Sequence, residues 1–155
     1  MKTLYIIGVC IFSLLFTSCT NLTPNQARVA NAALSISQVV ANVALQSVIS
    51  RAVSDQDLVK KGNYVDSAAA ALRTLQGRTG GLVTPELIGQ TVLQFTDPSK
   101  THWQVLAEKV AIGVTSAPLP TDVALEQAAA GLNQAAAEAR AQAKLDEPVV
   151  ITSLP

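Results

Sequence analysis

Apolar residues recur along most of this chain at the three-and-four spacing of one helix face. From Pro24 to about Ser54 neither Gly nor a further Pro interrupts the sequence, and Thr23-Pro24 supplies a capping hydroxyl followed by a residue suited to a first helical turn. The span predicts one long helix of roughly 46 Å at 1.5 Å per residue. A narrow polar stripe runs down it (Arg28, Asn31, Ser35, Gln38, Asn42, Gln46), while Val29, Ala33, Ile36, Val40 and Val43 define the opposite face. A helix apolar over most of its circumference is expected to be enclosed by other helices. Ser54-Asp55-Gln56-Asp57 either caps a fresh turn or lies within a helix continuing to Lys61, and Gly62 is expected to stop it with Lys60 and Lys61 at its negative end.

A second helix is expected from Asn63 to Gln76 on the face Val65, Ala68, Leu72 and Leu75, closed by Gly77. Thr84-Pro85-Glu86 starts a third, with Ile88, Val92 and Phe95 inward, and Asp97-Pro98 separates it from a fourth over Ser99–Gly113 carrying Trp103, Leu106, Ala107, Val110 and Val114. These two should form a hairpin. After the stiff linker Ala117-Pro118-Leu119-Pro120, a nearly continuous alanine helix runs to about Lys144. Leu125, Ala128, Leu132, Ala135 and Ala139 form its heptad seam, suited to close antiparallel packing against the first helix, with Glu126, Glu138, Arg140 and Lys144 outside it. The fold class is therefore all-α: a single bundle of about five helices, two long and three short, over residues 24–145. Residues 146–155 form an extended tail whose Val149-Val150-Ile151 has strand propensity without a partner strand.

The amino terminus reads differently. Met1-Lys2 precedes an apolar run from Leu4 to Phe16, too short to span a hydrocarbon core, which is the shape of a cleavable signal peptide over residues 1–18. The run ends in Phe16-Thr17-Ser18-Cys19, which resembles the bacterial lipobox, in which an aliphatic residue and two small residues precede the cysteine that becomes lipidated. Thr17, Ser18 and Cys19 match it, and Phe16 stands where Leu, Val or Ile is usual. The resemblance implies that Cys19 takes a diacylglyceryl thioether and becomes the acylated first residue, with residues 19–23 as a tether. Because Thr20, not Asp, follows the cysteine, it also implies the periplasmic face of the outer membrane over the inner membrane. The alanine heptads are similar to those of the murein lipoprotein family, but this chain ends in Ser153-Leu154-Pro155 and lacks the terminal lysine of that family's covalent tether.

Composition narrows the remaining possibilities. Removing residues 1–18 leaves 137 residues with ten basic against eleven acidic side chains, so charge gives no case for nucleic acid. Cys10 is discarded with the signal, leaving no disulfide to form. Only Tyr64, Phe95 and Trp103 remain as aromatics, so the core must be built from Ala, Val, Leu and Ile. No cluster of His, Cys and carboxylates has metal-ligand spacing, and no cofactor motif is present. Gly77-Arg78-Thr79-Gly80-Gly81 lacks the Gly-Lys-Ser/Thr ending of a phosphate loop. The expected role is that of a lipid-anchored envelope protein with a non-catalytic structural or protein-interaction role, held to the membrane through its lipid, with an envelope protein as partner and with room for a homo-oligomer. Two rivals are a membrane-active oligomer using the first helix and a small hydrolase around Ser99 and His102, with Asp97 nearby.

Overall fold

The computed structural model describes residues 24–96 and 100–145. The expected signal peptide, Cys19, Asp97, Ser99 and the carboxyl-terminal tail lie outside the described residues, as does the side chain of Val29. Within them the chain is all-α, with no strand: α1 (Pro24–Ser47), α2 (Asp55–Arg78), α3 (Pro85–Leu93), α4 (Thr101–Thr115) and α5 (Thr121–Leu145), plus a 3₁₀ turn over Ile49–Arg51. Three of these helices are long and two short, not two and three as expected. The chain divides into two units, residues 1–31 and 32–155. Of the first, only the opening two turns of α1 are described, exposing Arg28 and Asn31. The rest of the described chain belongs to the second unit.

The last helix is the centre of this unit. Ala124, Leu125, Ala128, Ala129, Leu132, Ala135, Ala136 and Ala139 are all essentially inaccessible. Small side chains on two sides of one helix allow two neighbours to approach closely. At Gly131 the approach is backbone against backbone. A Cβ placed there would lie 3.0 Å from the Ser37 carbonyl carbon, 3.1 Å from its Cα and closer still to its oxygen, so α1 crosses α5 where only glycine fits. On the other side a Cβ at Gly62 of α2 would stand 3.3 Å from the Ala139 Cβ and 3.4 Å from the Ala136 carbonyl.

That second contact explains a sequence expectation that fails. Gly62 does not end a helix and Asn63 does not begin one, because α2 runs unbroken from Asp55 to Arg78. The glycine answers to packing against α5, not to chain reversal. Lys60 and Lys61 accordingly lie in the second turn of α2 and not at a helix carboxyl end. Closure comes at the other end of α2, beyond Gly77: Gly80 and Gly81 have φ of +62° and +91°, and the Gly81 amide donates to the Gln76 carbonyl at 3.1 Å.

The first helix also stops short of its expected end at Ser54. Ser47 and Ser50 turn their hydroxyls back onto the carbonyls of Val43 and Gln46, the β-branched Val48 and Ile49 lower helix propensity, and the chain tightens into the 3₁₀ turn before becoming extended at Ala52. Ser54 then caps α2, its hydroxyl accepting from the Asp57 amide at 3.2 Å. Of the two sequence alternatives at this point, the fresh cap is the one adopted.

Around α1 the polar stripe is exposed throughout, from Arg28 to Gln46. Ile36 and Val40 are buried, Ala33 and Val43 half-buried, and Ala41, Ala44 and Val48 complete the inner face. The helix is nevertheless not enclosed by neighbours, as its composition suggested. Leu34 and Val39 remain 56% and 51% exposed; five residues apart, about 140° around the helix, they border the polar stripe on its two sides and do not form one patch. Helix α4 lies along α1 in the opposite direction: Lys100–His102 share a depression with Ser47 and Arg51, whereas Gly113 and Ser116 share one with Ser35 and Val39. Its inward residues Trp103, Leu106, Ala107, Val110 and Val114 are buried as the spacing predicts, and α3 packs beside it with Ile88 and Val92 buried. Phe95 is only half-buried.

Two glycine substitutions separate packing from propensity. Gly131→Ala should destabilise by about 2 kcal/mol, because overpacking against the α1 backbone outweighs alanine's better helix propensity of about 1 kcal/mol. Gly77→Ala, at a helical position where a Cβ meets nothing within 4 Å, should stabilise by up to about 1 kcal/mol. Urea unfolding of the two variants should move in opposite directions.

Candidate functional site

Three surface features combine enough chemistry to be weighed. One is a polar ladder across the α2–α5 seam. Arg73 Nε donates to both carboxylate oxygens of Glu126 at 3.0 Å, and Arg140 Nη2 donates to Asp66 Oδ2 at 2.7 Å and to Asn63 Oδ1 at 3.4 Å. Between these pairs, with its amide oriented to satisfy both partners, Asn133 donates to Asp66 Oδ1 at 3.0 Å and accepts from the Arg73 guanidinium at 2.9 Å. The pairing order is antiparallel, so the ladder fixes the register of α2 on α5. Its ion pairs are 37% to 53% solvent-exposed, and such pairs contribute on the order of 0 to 1 kcal/mol each. Register, not stability, is what they provide.

The heptad reading places Glu126 and Arg140 outside the apolar seam and gives them no partner on another helix. The signal was present: Glu126, Asn133 and Arg140 repeat every seven residues beside the apolar heptad, as do Asp66 and Arg73 on α2. Opposite charges in phase on two heptads are the mark of paired helices.

The second feature surrounds His102. Its half-buried side chain lies on Trp103, ring centroids 5.7 Å apart and tilted by 38°, and it lines an open depression of about 410 Å³ with Ser47, Arg51, Lys100 and Val105. Among the described residues the serine that lines this depression with His102 is Ser47, whose hydroxyl donates to its own helix at the Val43 carbonyl. That places the proton away from the imidazole, the opposite of what nucleophile activation needs. Ser99 and Asp97 lie outside the described residues. Among the described residues no group of three or more His, Cys, Asp and Glu is arranged to hold a metal ion.

The third feature is an open cavity of about 650 Å³ between α2, the end of α3 and the start of α4. Tyr64, Phe95 and Trp103, every aromatic residue after Phe16, line it together with Lys60, Ser67 and Gln94. Tyr64 meets Trp103 edge to face, with centroids 6.3 Å apart and planes at 72°, and the Lys60 ammonium lies 5.8 Å from the Tyr64 ring centre. No spacing rule links the three aromatics, which come from separate segments; only the tertiary fold gathers them.

Electrostatics elsewhere serve the helix starts. At the α1–α2 corner Lys61 Nζ donates to Asp57 Oδ2 at 2.8 Å and to the Arg51 carbonyl at 2.7 Å. The Asp57 carboxylate also accepts from the Val53 amide at 3.2 Å. The Lys61 hydrogen bond, outweighing partial burial, holds Asp57 below the usual carboxylate range. Glu86, in the first turn of α3, is likewise lowered, by its own backbone amide and then by the Thr84 hydroxyl. Compared with family models, with curated protein sequences and with solved structures, the chain matches none.

Because the Asp57 carboxyl is depressed, its stabilising contribution is complete above the ordinary carboxylate value of about 3.9 and is lost as pH falls through its lower folded value. Asp57→Asn should therefore lower stability at pH 7 by about 1 kcal/mol, and the urea midpoints of wild type and variant should draw together as pH falls below the ordinary carboxylate range. A gap between the curves that is unchanged from pH 7 to pH 3 would mean that the corner does not depend on this charge.

Proposed function

We propose that this chain is a lipid-anchored protein of the bacterial envelope that works by protein contact and not by turnover, held through Cys19 at the periplasmic face of the outer membrane. The observation that carries this reading is the apolar run ending in Phe16-Thr17-Ser18-Cys19. Each acyl methylene buried in a bilayer contributes about 0.8 kcal/mol, and stable anchoring needs the two or more chains that a modified cysteine carries. Since α1 begins at Pro24, the four residues Thr20–Thr23 can extend at most roughly 14 Å, so the helix would start close to the headgroups. The stripe of Asn and Gln side chains on α1 then offers a partner an uncharged, hydrogen-bonding surface beside the membrane.

A second reading has one observation in its favour: the helical stretch Pro24–Arg51 is long and apolar enough to cross a membrane by length and composition. Against it, Ile36, Val40, Ala44 and Val48 belong to the same buried cluster as Leu72 and Leu132, so insertion would require the bundle to give up that face. The amide stripe would also have to be buried in lipid or in a seam, at a cost water does not impose.

Anchoring is tested by partitioning. Wild-type protein should enter the detergent phase and show acyl mass beginning at Cys19, and Cys19→Ser should move it to the aqueous phase. An unmodified, water-soluble wild-type chain would contradict the proposal.

A further inference from the structure

We infer that the depression between the 3₁₀ turn after α1 and the start of α4, lined by Arg51, Lys100 and His102, binds a phosphate group. Binding there does not depend on the anchoring proposal, and its test does not require lipidation.

The chain as a whole is balanced, with eleven basic and eleven acidic side chains. Ion pairs among the described residues take up Lys61, Arg73 and Arg140. The depression departs from that balance. Of the described residues that line it, Arg51, Lys100 and His102 are basic, Ser47, Thr101 and Val105 are neutral, and none is acidic. Neither Arg51 nor Lys100 forms an ion pair with another described residue. They come from separate segments, and only the packing of α4 along α1 brings them to one place. Like charges gathered without a carboxylate repel each other, and an anion between them replaces that repulsion with attraction.

Both sides of the depression are held. Lys61 Nζ donates to the Arg51 carbonyl at 2.7 Å, fixing the backbone from which the guanidinium extends. On the other side His102 is half-buried against Trp103.

The donors suit phosphate better than carboxylate. Arg51 carries a planar fork of N–H groups, Lys100 an ammonium and Thr101 a hydroxyl, around an open volume of about 410 Å³. Phosphate spreads its charge over oxygens that point in several directions and can meet fork and ammonium together, whereas a carboxylate presents two oxygens along one edge. An uncharged ligand would leave the two cations uncompensated. Ser47 adds no donor, since its hydroxyl proton goes to the Val43 carbonyl.

His102 is the only histidine, so its ring-proton NMR signal reports on this depression. The test titrates the full-length protein in an uncharged detergent, at neutral pH and constant low ionic strength. The probes are inorganic phosphate, acetate, and glycerophosphoglycerol, the phosphodiester headgroup of an anionic lipid. Phosphate or the diester should move the signal saturably, with Kd of about 10 mM or below. Tighter binding of inorganic phosphate identifies a soluble phosphate or phosphomonoester as the ligand, and tighter binding of the diester identifies a lipid headgroup.

Arg51→Gln and Lys100→Gln should each weaken binding at least about fivefold, and Arg51→Lys, which keeps the charge but loses the fork, by about twofold. Lys109→Gln, at an exposed α4 position outside the depression, should change it by less than about 1.5-fold. Arg51 and Lys100 are exposed as well, so these variants keep the fold. Phosphate binding at this site is refuted if neither phosphate nor the diester gives a saturable shift, if acetate binds as tightly, or if Lys109→Gln weakens binding as much as Arg51→Gln and Lys100→Gln. It is also refuted if binding appears only in Asp97→Asn, which would mean that a carboxylate of the chain itself, outside the described residues, takes the ligand's place.

Discussion

Everything in the described bundle depends on how closely two helices can approach α5. At Gly131 the α1 backbone at Ser37 occupies the space a Cβ would need, and at Gly62 the side of α2 rests on Ala136 and Ala139. Alanines at 128, 129, 135 and 139 continue both surfaces. Close approach is a substitute for bulk: with almost no aromatic volume available, dispersion contacts must come from short side chains and backbone at small separation. The price is sensitivity to any added methyl at those crossings. Larger aliphatics fill the rest of the core, with Leu72, Ile88, Leu106, Leu125 and Leu132 all fully buried.

Alanine seams bind closely but specify register poorly, since one alanine is much like the next. The polar ladder from Glu126 through Arg73, Asn133 and Asp66 to Arg140 supplies what the seam lacks: a one-residue slip of α2 on α5 would misplace both ion pairs and the bridging amide at once. The corner between α1 and α2 is held in a similar way. Lys61 reaches the last carbonyl of the 3₁₀ turn and the Asp57 carboxylate together, tying the end of one helical segment to the start of the next.

The legibility of these features in the sequence tracks the range of each interaction. Local signals read correctly: the Thr84-Pro85 start, inward Ile88 and Val92 of α3, the inward face of α4, the fully exposed stripe on α1 and the buried seam of α5 all follow from periodicity and capping, whereas Phe95, beyond the end of α3, is only half-buried. Glycine was misread because its two uses look alike in sequence. Gly62 is a packing position inside α2, and its contact lies 74 and 77 residues away at Ala136 and Ala139, so no local rule distinguishes it from a stop. The end of α1 was misread because Ser47 and Ser50 act by bonding back onto their own helix, a competition that apolar periodicity does not record. Of the candidate sites, the gathering of Tyr64, Phe95 and Trp103 was illegible because it is purely tertiary, whereas the ladder was written in two heptads and was overlooked.

The central claim is that the segment from Ile36 in α1 to Val48 just beyond it is an integral layer of a water-soluble bundle, locked by the crossing of α1 with α5. Native-state hydrogen exchange on the chain from Thr20 onward, in buffer without detergent, tests it most directly. The amides of Val40 and Ala44 in α1 should exchange with the same opening free energy as Leu72 in α2 and Leu132 in α5, to within about 1 kcal/mol, because all four belong to one cooperative core. Exchange of the α1 amides at free energies several kcal/mol lower, with the other helices still protected, would contradict the claim and show that the first helix is docked loosely enough to serve another environment.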